Sequence, residues 1–405
     1  MKRRVLITFT TDYYPSNTGF AQAFMHFHKS ILQNDKCDYI YVFSEGVHPS
    51  NDLENIEVNP LPVFRGIRFL RFPIFERTLQ LFAKRYYYAI FQKIEDISKD
   101  NTIQMILIES MFVAWLAPIL RKEFPSIPIV CRIHGTGPEY TAFYREMSDN
   151  KFREYLLKCV FGLENIAATT KYYFDFFRDY YKSYGMFMDK EFFILPNTCH
   201  EEMKPLSKVD DKVTLLQLGR LDQRGYHQKG FQDTVKALMY IEKFYPDVSK
   251  KLRYVTIGTG DREQHFLNHA SCLKLVEHTH FSRLDNRDVK KYEQMSDIVL
   301  VPSRCEGMSM FATEAICLSK PLICTNNNGL ESVSIPEYNS LCMTEYDYVR
   351  YAEAIIKMVT NEKLRTEMSK NSKELFDKNY GYKAVALKYS LMVDYLNSDH
   401  NECEL

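Results

Sequence analysis

Two glutamates, Glu306 and Glu314, stand eight residues apart in the stretch VLVPSRCEGMSMFATEAICLSKPLICTNNNGLESV, residues 299–333. An ionised carboxylate only accepts hydrogen bonds, so it repels a phosphate but suits a pair of neighbouring sugar hydroxyls. Between the two lies Ser309, a residue type that caps helices, followed by an apolar helical pattern to about residue 319. A helix starting there offers unpaired N–H groups and a partial positive charge, which together hold an anion. Sugar, phosphate and sugar in succession is the layout of a nucleotide sugar. Glutamates are ordinarily solvated, yet Phe311, Ala312, Ala315, Ile316 and Leu318 leave little of this helix to water.

Cations for a diphosphate stand upstream, in GRLDQRGYHQKGF at 219–231. Gly219 permits close backbone approach, Arg220 offers a planar fork, and Lys229 brings a point charge to a helix start before Phe231. In the first half, CRIHGTGPEY sets His134 at the end of a strand. A histidine is most often structural, but at the carboxyl edge of a sheet it is placed to meet a ligand. Gly19, where the first helix begins, lets a phosphate or sugar approach closely, and is equally at home as a turn residue.

These residues need an open α/β scaffold. The apolar run at 297–301 suits a strand buried on both faces of a parallel sheet, and 321–325 starts another. Strand, loop, helix and strand then put the helix N-terminus at the carboxyl edge, where such sheets bind ligands. Further strands are expected at 5–9, 39–43, 104–108, 127–133, 165–169, 192–195, 213–218, 252–257 and 273–277. Helical patterns cover 140–157, 171–184, 288–295, 348–359, 362–380 and 382–396. The segment PNTCHEEMKPLSKVDDK reads as a linker, which sets a domain boundary near residue 200.

A chain of 405 residues is long enough for two such domains. Its 52 basic and 52 acidic residues cancel, so no global charge points to nucleic acid. Ten cysteines without metal-site spacing fit a reducing cytosol better than a disulfide framework. The most apolar long run, 105–120, is broken by Glu109, and the apolar start ends at Thr10, so neither a membrane span nor a signal peptide is expected. Between residues 61 and 93, Arg65, Arg68, Arg71, Arg77, Lys84, Arg85 and Lys93 face the single acid Glu76, with Phe and Tyr interleaved. Such a segment can lie on an anionic membrane surface, or form a helix packed on the sheet with solvated arginines.

The Glu-Gly-x-x-x-x-x-x-Glu pattern after a strand ending in Pro-Ser, with Gly219-Arg220 and Lys229-Gly230 upstream, resembles the nucleotide-sugar glycosyltransferases of GT-B fold in glycosyltransferase family 4 (glycosyl transferases group 1). The resemblance implies two Rossmann-like domains facing a central cleft. An N-terminal acceptor domain would cover 1–199 and a donor domain 200–380, with a final helix at about 381–400 crossing back to the first. It implies sugar transfer from a nucleoside-diphosphate sugar to an acceptor hydroxyl, with retention and without a metal or other cofactor; the chain has no Asp-x-Asp triplet. Glu306 would contact the transferred sugar, with His134 from the other domain, and Glu314 the ribose diol. Arg220 and Lys229 would neutralise the diphosphate, Gly307, Met308, Ser309, Met310 and Phe311 would line the donor, and Gly19 would face it.

Two departures are visible. The family has an aromatic and a second glycine where this chain has Met308 and Ser309, and its Gly-Gly pair is reduced to Gly329 between Asn328 and Glu331. The acceptor would be a glycan, glycolipid or protein, in synthesis of cell-surface polysaccharide, glycolipid or glycoprotein glycans. The enzyme would be cytoplasmic, with segment 61–93 as its membrane contact at the inner face if the acceptor is a lipid. The rivals are a GT-B fold epimerase, which needs no acceptor, and a non-catalytic binding subunit, which the presence of Glu306, Lys229 and Arg220 disfavours.

Overall fold

Two parallel sheets organise the chain in the computed structural model, which describes residues 2–13, 19–46, 53–62, 84–109, 111–134, 155–156, 158–160, 162–183, 191–200, 203–206, 210–326 and 329–398. One compact unit comprises Met1–Thr198 with Tyr382–Leu405, the other Cys199–Gly381.

The N-terminal unit runs β1 (Arg3–Asp12), α1 (Gly19–Gln33), β2 (Tyr39–Gly46), β3 (Ile56–Pro60), α2 (Tyr88–Asp100), β4 (Asn101–Ile108), a 3-10 turn (Met111–Leu116), α3 (Ala117–Glu123), β5 (Ile129–Ile133), β6 (Asn165–Ala168), α4 (Lys171–Ser183) and β7 (Glu191–Ile194). Its strands are ordered β3-β2-β1-β4-β5-β6-β7, all parallel. Strand periodicity assigns the two faces. Val5, Ile7 and Phe9 pack with Ile94 and Trp115, whereas Leu6 packs with Phe24 and Phe27 of α1.

The C-terminal unit runs β8 (Val213–Leu218), α5 (Gln223–Gln228), α6 (Phe231–Phe244), β9 (Leu252–Ile257), α7 (Glu263–Ala270), β10 (Glu277–Phe281), α8 (Asn286–Met295), β11 (Ile298–Val301), α9 (Met310–Cys317), β12 (Leu322–Thr325), β13 (Ser340–Met343), α10 (Tyr348–Thr360) and α11 (Glu362–Asn379). The order is β10-β9-β8-β11-β12-β13, again parallel. The last helix, α12 (Tyr382–Asn397), belongs to the N-terminal unit. Its Tyr389 ring lies 6.0 Å from Phe27, its Tyr382 hydroxyl 2.8 Å from His26 Nδ1, and Tyr389 donates to Gln104 Oε1 at 3.0 Å.

In both sheets the order reverses beside the first strand, between β1 and β4 and between β8 and β11. Those switch points open the crevices where doubly wound sheets bind ligands. One expected strand is displaced. Residues 273–276 form an approach loop whose Lys274, Leu275 and Val276 amides donate to the Glu242 carboxylate, and pairing starts only at Glu277. The expected helix over 140–157 and residues 63–83 of the basic segment lie almost wholly outside the described residues. Of the described part of that segment, Lys84 is paired with Glu123 at 2.6 Å, Lys93 with Glu57, and Tyr87 is buried in the core.

Candidate functional site

At the C-terminal switch point, two loops are tied together by contacts that need glycine. Gly230 adopts φ +64°, and a Cβ there would fall 2.2 Å from the Pro302 carbonyl oxygen, so only glycine fits between α5 and α6. The loop after β11 is strapped to this turn. Arg304 N–H donates to Gln228 O at 2.8 Å, Gln228 Nε2 to Cys305 O at 2.7 Å, and the Arg304 guanidinium meets Asp233 at 2.5 Å. From the strand side, Gln217 Nε2 donates to Lys229 O at 2.8 Å.

The product of this strapping is an ion pair, Lys229 Nζ to Glu306 Oε1 at 2.5 Å, with side chains 21% and 8% exposed. The loop carrying Glu306 is closed from the other side by Gly329, whose added Cβ would lie 1.8 Å from the Glu306 carbonyl oxygen. Lys229 ends α5 as its C-cap, so the expectation that it starts a helix is corrected: the helix start belongs to Gly230. Arg220 stands apart from the pair, 60% exposed, with Asp222 Oδ2 at 3.4 Å.

Helix α9 begins as the sequence predicts. Ser309 is its N-cap, accepting from Ala312 N at 3.4 Å, and Thr313 Oγ1 returns a bond to Ser309 O at 2.8 Å. Met308 and Phe311 are buried in the core on this face of the sheet and Met310 packs against it, so among 307–311 a ligand would meet backbone rather than these side chains. Glu314 pairs with Lys290 of α8, which also lies 3.2 Å from Glu293. Burial works against the Lys290 charge, but the Glu314 and Glu293 carboxylates outweigh it and raise its pKa. Burial, with Glu314 beside it, pushes Glu293 well above the usual carboxylate range.

In the N-terminal unit the ends of β1, β4 and β5 collect a buried polar cluster. Glu109 Oε2 lies 3.0 Å from Arg132 Nε and 2.8 Å from His134 Nε2, and Arg132 Nη2 donates to Asn197 Oδ1 at 2.9 Å. Arg132 stacks over the Phe27 ring at 4.4 Å. His28 bridges Tyr13 and Thr8 at 2.7 and 3.1 Å. Burial, with Arg132 adding to it, pushes His134 down to about 4, and burial takes His28 to about 3, so both rings are neutral. Burial raises the Glu109 carboxyl, but Arg132 and His134 override it and keep the group ionised. His134 Nε2 faces both Glu109 Oε2, at 2.8 Å, and Arg132 Nε, at 3.1 Å. Among the described residues, the buried Glu109 Oε1 and Arg132 Nη1 have no hydrogen-bond partner. Gly19 is the first residue of α1.

Sequence reasoning missed Glu109, Arg132, Lys290, Glu293, Arg304 and Asp233. Glu109 alone left a signal, as the one charge in an apolar run ending at a strand's carboxyl edge. Among the described residues, no group of three or more His, Cys, Asp or Glu side chains is arranged to hold a metal ion.

Residues 200–375 match the model of the family described as Glycosyl transferases group 1. The chain is similar to an uncharacterized glycosyltransferase of Haemophilus influenzae, 27% identical over 191 residues that cover 47% of this chain and 51% of that protein. To spore coat protein SA of Bacillus subtilis it is 26% identical over 46% of this chain and 50% of the relative. The chain thus spans about half the length of these curated relatives. Among solved structures it is similar to sucrose-phosphate synthase from Thermosynechococcus elongatus, with TM-score 0.70 and 15% identity over 97% of this chain and 99% of that one. A second is described as trehalose-6-phosphate from E. coli bound with UDP-2-fluoro glucose, with TM-score 0.67 and 15% identity over 96% and 98% of the two chains. At these identities the likeness shows the fold, which is GT-B.

Proposed function

From the premise that residues 200–375 form a Glycosyl transferases group 1 domain on a GT-B fold, we propose that the protein moves a sugar from a nucleoside-diphosphate sugar to an acceptor hydroxyl. The observation that carries this is the Lys229–Glu306 pair at 2.5 Å, held at the sheet switch point beside the capped start of α9. Each charge occupies the other until a donor arrives. An entering diphosphate takes Lys229 into a charge-assisted bond, and Glu306, released, accepts from hydroxyls of the transferred sugar. Glu314 makes the same exchange with the ribose diol, giving up Lys290.

The reaction needs charge stabilisation more than covalent chemistry. As the glycosidic C–O bond breaks, the leaving diphosphate gains negative charge, which Lys229, Arg220 and the N–H groups of α9 would stabilise. His134 of the N-terminal unit, 2.8 Å from Glu109, would contact the sugar in this scheme. Retention of configuration and independence from metal belong to the same proposal, and activity should survive EDTA. The support for a nucleotide-sugar donor is the UDP sugar named with the structurally similar protein from E. coli.

The acceptor side is proposed to be a glycan, glycolipid or protein met by the N-terminal unit. No helix among the described residues is long and apolar enough to cross a membrane. A thermal-shift panel of UDP, GDP and ADP sugars tests the donor. A true donor at 100 times its dissociation constant stabilises by about 2.7 kcal/mol, and a panel with no shift at saturating concentrations rejects the proposal.

A further inference from the structure

Outside the donor site, β12 and β13 bring two thiols together. Cys324 and Cys342 are register partners on these adjacent parallel strands, and their sulfurs lie 3.5 Å apart. Cys324 is fully buried; Cys342 is partly exposed and lines a cavity of about 110 Å³ together with Thr325, Asn326, Leu330, Glu331 and Ser334. Two serines complete the group. Cys324 Sγ is 2.8 Å from Ser334 Oγ, Ser334 donates to Ser340 Oγ at 2.8 Å, and Ser340 Oγ is 3.4 Å from Cys342 Sγ.

Cys342 Sγ thus has the Cys324 thiol at 3.5 Å and the hydroxyls of Ser334 and Ser340 each at 3.4 Å, and hydrogen bonds accepted by a sulfur favour its thiolate. The bond from Cys324, joined by those from the serines, holds the Cys342 thiol down at about 6 despite burial and the nearby Glu337 charge. Glu331 on the cavity wall is the other carboxylate facing this space.

We propose that Cys342 is a peroxide-reactive thiol and that Cys324 is its resolving partner, so that the two form a reversible disulfide within the C-terminal domain. The Cys342 thiolate attacks one oxygen of hydrogen peroxide, the O–O bond breaks, and the departing hydroxide takes up a proton to become water. Cys342 is left as the sulfenic acid. The Cys324 sulfur then attacks the Cys342 sulfur, the S–O bond breaks, and hydroxide leaves with the Cys324 proton as a second water. Two thiols lose two electrons and one peroxide becomes two waters.

The geometry permits both steps. A separation of 3.5 Å is a near-attack distance. Adjacent strands lie about 4.7–4.9 Å apart, inside the Cα separation of about 4.4–6.8 Å that disulfides span. The cavity admits a molecule as small as peroxide to the partly exposed thiol and leaves the buried one for resolution. Nothing in this assignment depends on the proposed transfer activity.

The test is peroxide oxidation of the reduced full-length protein in modest excess, followed by alkylation of remaining thiols and peptide mass spectrometry. The first product should be the linked Cys324–Cys342 peptide, two hydrogens lighter than its parts, formed before the exposed Cys272 is modified and reversed by dithiothreitol. In Cys324→Ser the link should vanish, and dimedone should trap the sulfenic acid at Cys342 several-fold more than in the wild type. Should that variant not fold, dimedone added during wild-type oxidation must divert the linked peptide to a Cys342 adduct. Oxidation of Cys272 ahead of a still alkylatable Cys324 and Cys342 overturns the proposal, as does equal dimedone labelling of Cys342 in wild type and variant.

Discussion

Replacing Lys229 by alanine separates the two duties assigned to it. In the unliganded protein Lys229 neutralises Glu306 at 2.5 Å, and the side chains are 21% and 8% exposed. Breaking a fully buried pair costs about 3–5 kcal/mol; the remaining exposure lets water reach part of the stranded carboxylate and lowers the expected loss of stability to about 1–3 kcal/mol. In the liganded protein Lys229 meets the diphosphate, and a charge-assisted hydrogen bond is worth about 1.5–3 kcal/mol, or roughly ten- to a hundredfold in affinity. Adding Glu306→Gln to Lys229→Ala removes the stranded charge, so it should return part of the stability and none of the nucleotide affinity. Denaturant unfolding and calorimetry with nucleoside diphosphate on all four proteins complete the cycle. Unchanged affinity in folded Lys229→Ala, or affinity regained in the double variant, refutes the exchange of partners.

Glu306→Gln alone should cut turnover while sparing nucleoside diphosphate binding, whereas Glu314→Ala should weaken the free nucleotide too; equal effects on calorimetric affinity contradict the division of roles. Stability should fall as pH drops from about 6.5 toward 4, because the unfolded chain protonates its histidines while His134, at about 4, and His28, at about 3, stay neutral when folded. Each contributes up to roughly 1.4 kcal/mol per pH unit there, and His134→Gln should flatten the slope in thermal melts; an unaltered slope denies the shift. If segment 61–93 reaches a lipid acceptor, the protein should sediment with anionic vesicles, less so at high salt and after Arg65, Arg68 and Arg71 become Glu; protein left in the supernatant at low salt points to a soluble acceptor.

The strands at the heart of each sheet were legible because burial on both faces leaves an unbroken apolar run, as in Ile298–Val301 and in residues 105–108 of β4. The start of α9 was legible because its cap is local: Ser309 and the amide it accepts are three residues apart. Edge strands were harder. β10 reads EHTHF, and its polarity is absorbed by Thr256 of β9, whose hydroxyl lies 3.0 Å from His278 and 2.9 Å from His280. No local pattern announces such a cross-strand bond. The same holds for the site's ion pairs. Glu306 and Glu314 could be named as carboxylates with work to do, but Lys229 lies 77 positions from Glu306, and Lys290 lies 24 from Glu314 on another helix. Arg132 and Glu109 meet only because β5 pairs with β4.

A crystal structure with a bound nucleoside diphosphate tests the central claim most directly. The diphosphate should lie within hydrogen-bonding distance of Lys229 Nζ and the first amides of α9, the ribose hydroxyls should donate to Glu314, and the Lys229–Glu306 pair should be open. A nucleotide bound elsewhere, or bound with the 2.5 Å pair intact, would contradict the account.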